Sequence, residues 1–188
     1  MAALGFVALG YGFATLHSEG RVWALGAGAA TALYYAGGRR LPVFKTPAIA
    51  IAWCGATLLP LSCPHPLPDY LWAAAAHHFL LIAALALAYD IVDMAHDPNP
   101  TIAQRLGRRK SEALAYLLLL AAAGAATGMP MAFQDGLYLS ALLSGATLRA
   151  ALRFESVPWY ARKAAIDATM PLHLAVNTGQ AFFVTIEN

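Results

Sequence analysis

Apolar residues along this chain occur in long segments, without the strict alternation that is typical of a half-buried strand. Seven such segments, rich in Ala and Leu, are separated by short polar stretches. They cover residues 1–17, 22–38, 44–62, 69–92, 112–129, 131–151 and 162–185. Each approaches the roughly 20 residues that a helix needs to cross a bilayer. The pattern predicts an all-α fold, a bundle of about seven membrane helices that forms a single domain over residues 1–188.

The composition favours the membrane as well. Hydrophobic residues make up 60% of the chain and charged residues 12%, whereas charged residues make up about 25% of ordinary soluble domains. A net charge of +2 is too small to indicate nucleic-acid binding, and two cysteines are too few for a disulfide scaffold. We therefore expect a multi-pass protein of a cell membrane, such as a bacterial inner membrane, in contact with membrane lipid.

The basic residues predict the orientation of the bundle. Eleven of the twelve Lys and Arg residues fall in or beside three alternate loops, at 39–45, 105–110 and 149–163. Positive charge marks the cytoplasmic side of membrane proteins. We therefore expect these loops in the cytoplasm and both termini outside it. The first segment has no basic stretch before it, so it does not resemble a signal peptide.

Three carboxylates, Asp90, Asp93 and Asp97, lie at the end of the fourth segment and just beyond it, and we call them the acidic cluster. On a helix these positions fall within about 60° of arc. Like charges at this spacing repel, and the negative end of the helix dipole disfavours them too. Two kinds of compensation are open: the basic loops, or a divalent cation such as Mg²⁺, which prefers carboxylate oxygens. Ordinary solvated loop acids are the alternative interpretation.

The surroundings of the acidic cluster resemble a known family. Residues 89–97 (YDIVDMAHD) and 101–107 (TIAQRLG) resemble the second aspartate-rich motif of UbiA-type intramembrane prenyltransferases. Residues 33–35 and 41–45 resemble the family's tyrosine-proline stretch and loop lysine. The resemblance implies that the seven segments correspond to the last seven of nine family helices. It also implies that an N-terminal part with the first acidic motif is missing, because Glu19 is the only acidic residue before Asp69.

This resemblance implies transfer of a prenyl group from a prenyl diphosphate to a lipophilic, often aromatic, acceptor. The acidic cluster would hold Mg²⁺ and act as the catalytic centre, on the cytoplasmic side of the membrane. The implied substrate-binding residues are Lys45, Tyr89 and Arg105. For Lys45 and Arg105, the alternative is an ordinary positive charge of a cytoplasmic loop.

Two further interpretations stay open at this point. With a single acidic motif, the chain is alternatively a degenerate, non-catalytic relative that keeps the fold. The histidines offer the other alternative, a haem-binding bundle. His77 and His78 lie within the fourth segment, and His17 and His173 lie on the first and seventh. Hydrogen bonds to neighbouring helices are the competing role for these imidazoles.

Overall fold

The computed structural model describes residues 16, 18–58 and 69–169, and these form helices joined by short connections, with no β-strand among them. The helices are α1 (Ser18–Tyr35), α2 (Pro42–Leu58), α3 (Leu71–Val92), α4 (Ile102–Leu106), α5 (Arg108–Ala126), α6 (Met131–Arg153) and α7 (159–169). A 3-10 turn, Gly38–Arg40, joins α1 to α2. The all-α prediction is confirmed for these residues. Nearly all of segment 1–17 and most of segment 162–185, with His17 and His173, lie outside them.

Helix α3 is the central element of the bundle. Its residues are apolar on every side, and positions 81–88 are all buried. A helix that is hydrophobic all round has to be enclosed by others or by lipid. Here α3 packs chiefly against α5 and α2, and also against α6. The acidic cluster therefore lies at the end of the most enclosed helix.

Among the described helices, α3 is the one that is long and apolar enough to cross a membrane. The other described helices are too short or too polar to meet the same two conditions. Helix α2 has 17 residues, and α5 begins with three basic residues, Arg108 to Lys110. Helix α6 carries Asp135 in its apolar stretch. The seven-pass arrangement therefore stays a prediction.

A short helix that the apolar pattern did not predict, α4, closes the connection between α3 and α5. Thr101 and Gln104 form a capping box, in which Gln104 N donates to Thr101 Oγ1 at 3.2 Å and Thr101 N donates to Gln104 Oε1 at 3.1 Å. The Gln104 amide also donates to the carbonyl oxygens of Met94 and Asp97. Gly107 ends α4 with φ at 76°, a conformation that favours glycine.

Close contact between α1 and α2 depends on Gly55. A Cβ atom at this position would lie 2.4 Å from Ala27 Cβ, so a larger residue would force the helices apart. Beside this contact, α1, α2 and α3 enclose an apolar groove of about 690 Å³. Trp23 and Trp72 lie in its wall with their ring centroids 5.7 Å apart.

Two arginines bind the C-terminal end of α6 to the neighbouring helices. Arg108, at the start of α5, donates to the Leu152 carbonyl at 2.7 Å and pairs with Glu155. Arg162 in α7 donates to the Ala151 carbonyl at 3.3 Å. Through these bonds the end of α6 fixes the position of α7, which carries part of the site described below.

Candidate functional site

The acidic cluster spans the end of α3 and the turn that follows it. Asp90 lies in the last turn of the helix, and Asp93 is its C-cap residue. The Asp97 N–H bonds to the Asp93 carbonyl at 2.9 Å, so the backbone makes one more helical turn beyond the cap. As a result, all three carboxylates border one cavity of about 500 Å³.

Lys45 occupies the space between two of these carboxylates. Its Nζ atom lies 2.7 Å from Asp90 Oδ1 and 2.5 Å from Asp97 Oδ2. The sequence predicted a loop lysine near the surface, but the structure places Lys45 in the first turn of α2 with 9% of the residue exposed. Pro42 at the first helical position favours the start of a helix there.

A second lysine, Lys163 of α7, reaches the remaining carboxylate. Its Nζ atom lies 2.8 Å from Asp93 Oδ2. The same atom lies 4.1 Å from the ring centroid of Tyr89 and 4.8 Å from that of Trp159, which is the geometry of cation–π contacts. His96 stacks on Trp159 with centroids 4.8 Å apart. Lys163 is therefore held by one charge and two aromatic faces.

Two carboxylate oxygens of the cluster are buried without a hydrogen-bond partner, Asp90 Oδ2 and Asp93 Oδ1. Asp90 is 1% exposed and Asp93 is 8% exposed. An unsatisfied buried acceptor costs about 1–3 kcal/mol, and more when it is charged. The cluster therefore retains coordination capacity that the two lysines leave unused.

The cavity combines charge with aromatic and apolar walls. Its lining contains the acidic cluster, Asp167, Lys45 and Lys163, so its formal charge is −2 when all six are ionised. Its uncharged walls include Tyr34, Ile49, Trp53, Ala86, Tyr89 and Trp159. Such a cavity suits a ligand with a charged end and a hydrophobic body.

The chemistry of the carboxylates suits Mg²⁺, and the two unpartnered oxygens are donors that it could use. In the conformation described, however, lysine ammonium groups lie against three of the other four oxygens, and the fourth, Asp97 Oδ1, accepts from Asn99. Among the described residues, no three Asp, Glu, His or Cys side chains are arranged around one point where a metal ion could sit. The basic partners proposed as one form of compensation are thus present, and a metal at the acidic cluster stays a prediction.

Asp97 lies outside the helices, and its environment shifts its acidity. Partial burial alone would raise its pKa, but hydrogen bonds from Lys45 and from Asn99 outweigh that effect and hold the pKa of Asp97 below its ordinary value. The Asn99 N–H donates to Asp97 Oδ1 at 2.9 Å. This carboxylate is therefore charged throughout the physiological range.

The other predicted residues divide into two groups. Tyr89 lies in the cavity wall, whereas Arg105 is exposed on α4 and does not line the cavity. His77 donates from Nδ1 to the Ala122 carbonyl of α5 at 2.8 Å, which is the helix–helix hydrogen bond that we considered beside haem ligation. The His78 ring packs against His77 with centroids 5.5 Å apart.

Sequence reasoning missed the contribution of α7. Trp159, Lys163 and Asp167 all line the cavity. Their spacing of four residues places them on one side of a helix, and that pattern could have revealed them. The sequence pattern places Lys163 only among the basic residues of the 149–163 loop.

Comparison of the chain with protein-family models, with curated proteins and with solved structures gives no match.

Proposed function

We propose that this protein is a membrane-embedded helical bundle that binds a prenyl diphosphate and, like UbiA-type prenyltransferases, transfers the prenyl group to a lipophilic acceptor. The observation that carries the proposal is the convergence of the acidic cluster, Lys45 and Lys163 on one cavity with aromatic walls. Three separate parts of the chain supply these groups. Solvated loop acids have no reason to be enclosed in this way.

The charges in the cavity suit a metal-bound diphosphate better than a free one. A lining with a formal charge of −2 repels an anion. Mg²⁺, when bound by Asp90, Asp93 and Asp97, would supply a Lewis acid and a template for the departing diphosphate. Lys45 and Lys163 add ammonium donors for phosphate oxygens.

The walls of the cavity suit the organic part of the substrate. Aromatic side chains line the cavity, among them Tyr34 and Trp53, and aromatic faces stabilise positive charge of the kind that develops on an allylic carbon as diphosphate leaves. Exclusion of water by these walls would protect that charge from quenching. The apolar groove between α1, α2 and α3 offers additional space for hydrocarbon.

The proposal places the acidic cluster at the cytoplasmic side of a multi-pass bundle in the cell membrane. Support comes from α3, which is long and apolar enough to cross a membrane and ends at the cluster. Further support comes from the basic residues, eleven of twelve of which lie in or beside loops expected on that side.

A second candidate is a non-catalytic protein that binds a lipid diphosphate without transferring the lipid. One observation favours it: the described residues contribute one acidic segment to the cavity, and lysines already neutralise part of it. Stabilising a diphosphate leaving group requires strong preorganised electrostatics. Binding of the intact diphosphate requires less electrostatic stabilisation than its departure does.

Binding is the first test. Purified protein in lipid nanodiscs is titrated with a non-hydrolysable farnesyl diphosphate analogue, with and without Mg²⁺. We expect Mg²⁺-dependent binding that Asp93→Asn weakens by at least about tenfold, since each charge-assisted contact is worth about 1.5–3 kcal/mol. Asp135→Asn, a matched change of an exposed carboxylate on α6, should leave binding unchanged.

Transfer is the second test. Radiolabelled prenyl diphosphate is incubated with the protein and a panel of aromatic and lipid acceptors, and a labelled lipophilic product is expected. Binding without product would favour the non-catalytic candidate. Equal binding by wild type and Asp93→Asn would show that the acidic cluster does not hold the ligand, and would refute both candidates.

A further inference from the structure

Two of the three lysines in this chain are enclosed by the acidic cluster. Lys45 contacts Asp90 and Asp97, and Lys163 contacts Asp93. The third lysine, Lys110, is exposed at the start of α5. Together the two ammonium groups therefore occupy three carboxylate oxygens that a divalent cation could also use.

Ammonium groups and a divalent cation compete for the same carboxylate oxygens, and like charges at short range repel each other. The five groups in contact, three carboxylates and two lysines, have a formal charge of −1. Mg²⁺ would bring these five groups to +1, and Asp167, which also lines the cavity, brings the total to zero. Within that total the metal and each ammonium group still repel each other at short range, which raises the free energy of both. The buried oxygens Asp90 Oδ2 and Asp93 Oδ1 have no other partner, so they offer Mg²⁺ its first contacts.

We propose that Lys45 and Lys163 are exchangeable internal counter-ions of the acidic cluster. Without ligand they hold the three carboxylates together. When a divalent cation binds, the carboxylates transfer to the metal and the two ammonium groups turn into the cavity, where they bind the anionic phosphates of the ligand. This inference rests on the proposed function, because it assumes a metal-bound diphosphate as the ligand.

The two lysines are suited to this exchange. Both side chains line the cavity already, so rotation about their flexible stems is enough to present them to a ligand there. Lys163 also retains the faces of Tyr89 and Trp159 as a second set of contacts when Asp93 is withdrawn. No rearrangement of the helices is required.

Lysine reactivity tests the exchange on the unmodified protein. An amine-reactive reagent is applied in brief pulses in EDTA, in Mg²⁺ alone, and in Mg²⁺ with inorganic pyrophosphate, and modification is quantified by mass spectrometry. Mg²⁺ alone should accelerate labelling of Lys45 and Lys163 by at least about tenfold, because each amine loses a charge-assisted hydrogen bond. Pyrophosphate should reverse the increase. Lys110 should react at one rate throughout and serves as the internal reference.

Variants give an independent readout. Binding of Mn²⁺ alone, measured by electron paramagnetic resonance, should tighten by about tenfold or more in Lys163→Met, because a competing unit charge has been removed. The same variant should bind Mg²⁺ with pyrophosphate more weakly than wild type. Lys110→Met should change neither value.

The outcomes separate this inference from the proposed function. If the farnesyl diphosphate analogue binds in a Mg²⁺-dependent way while lysine labelling ignores Mg²⁺, the exchange is wrong and the proposed function stands. If the analogue does not bind, both are wrong. An unchanged or weaker affinity of Lys163→Met for Mn²⁺ alone also overturns the exchange, because the lysine then does not compete with the metal.

Discussion

The pairing of Lys45 with Asp90 predicts a large effect of one substitution on stability. In Lys45→Met the side chain keeps its length and apolar stem but loses its charge. Asp90 is 1% exposed, and one of its oxygens has no partner even in the wild type. After the substitution the other oxygen, Asp90 Oδ1, loses the ammonium group that it contacts, so a buried carboxylate is left without compensation.

The size of the effect follows from this burial. Removing one partner of a buried ion pair costs about 3–5 kcal/mol. A change of 1 kcal/mol shifts the melting temperature of a chain of this length by about 2–4 °C, so we expect a decrease of about 6–20 °C. The double variant Lys45→Met with Asp90→Asn should recover a large part of this loss, because the uncompensated charge is gone.

The buried thiol of Cys54 provides the assay. This residue is 5% exposed, so a thiol-reactive fluorophore should report its exposure as the protein unfolds in detergent. A Cys63→Ser background leaves Cys54 as the single reporter, since the chain has two cysteines. Lys110→Met is the matched control. Equal melting temperatures for Lys45→Met and Lys110→Met would refute the buried pairing.

Three further predictions concern acid stability, helix contact and orientation. The environment of Asp97 lowers its pKa, so the ionised carboxylate contributes its full stabilisation at any pH above the ordinary pKa of 3.8. This contribution disappears as pH falls through the lowered pKa. The melting temperatures of wild type and Asp97→Asn should therefore converge only at pH values below 3.8. Gly55→Ala should destabilise the protein by about 1–3 kcal/mol, because the added Cβ overpacks the contact between α1 and α2. Gly28→Ala is the control: a Cβ there meets nothing within 4 Å, so the melting temperature should stay unchanged or rise. A reporter fused after Gly107 should read as cytoplasmic and one after Pro66 as external, and the reverse pattern would overturn the orientation.

The positions of the helices and the acidic cluster could be predicted because both depend on local sequence. Apolar segments located the described helices to within a few residues. The spacing of Asp90, Asp93 and Asp97 placed them on one side of the chain, and all three border one cavity. Short α4 was missed because its five residues depend on a capping box rather than on an apolar pattern.

The partners of the acidic cluster could not be predicted in the same way. Asp93 and Lys163 are 70 residues apart in the chain, and nothing in the sequence distinguishes a lysine that pairs in the interior from one that marks the cytoplasmic side. The enclosure of Lys45 similarly depends on how α2 packs on α3. Tertiary packing, and not local spacing, decides which loop charges become part of the site.

The capping box of α4 has a consequence for motion. Gln104 bonds to the carbonyl oxygens of Met94 and Asp97 while its own backbone is fixed by Thr101, which is fully buried. These hydrogen bonds hold the turn after α3 against α4. The backbone amides of the turn should therefore exchange slowly with deuterium, because the turn can open only when α4 unfolds. A ligand that enters the cavity would meet a stiff backbone wall on this side, so the movement needed for its entry must come from the side chains that line the cavity.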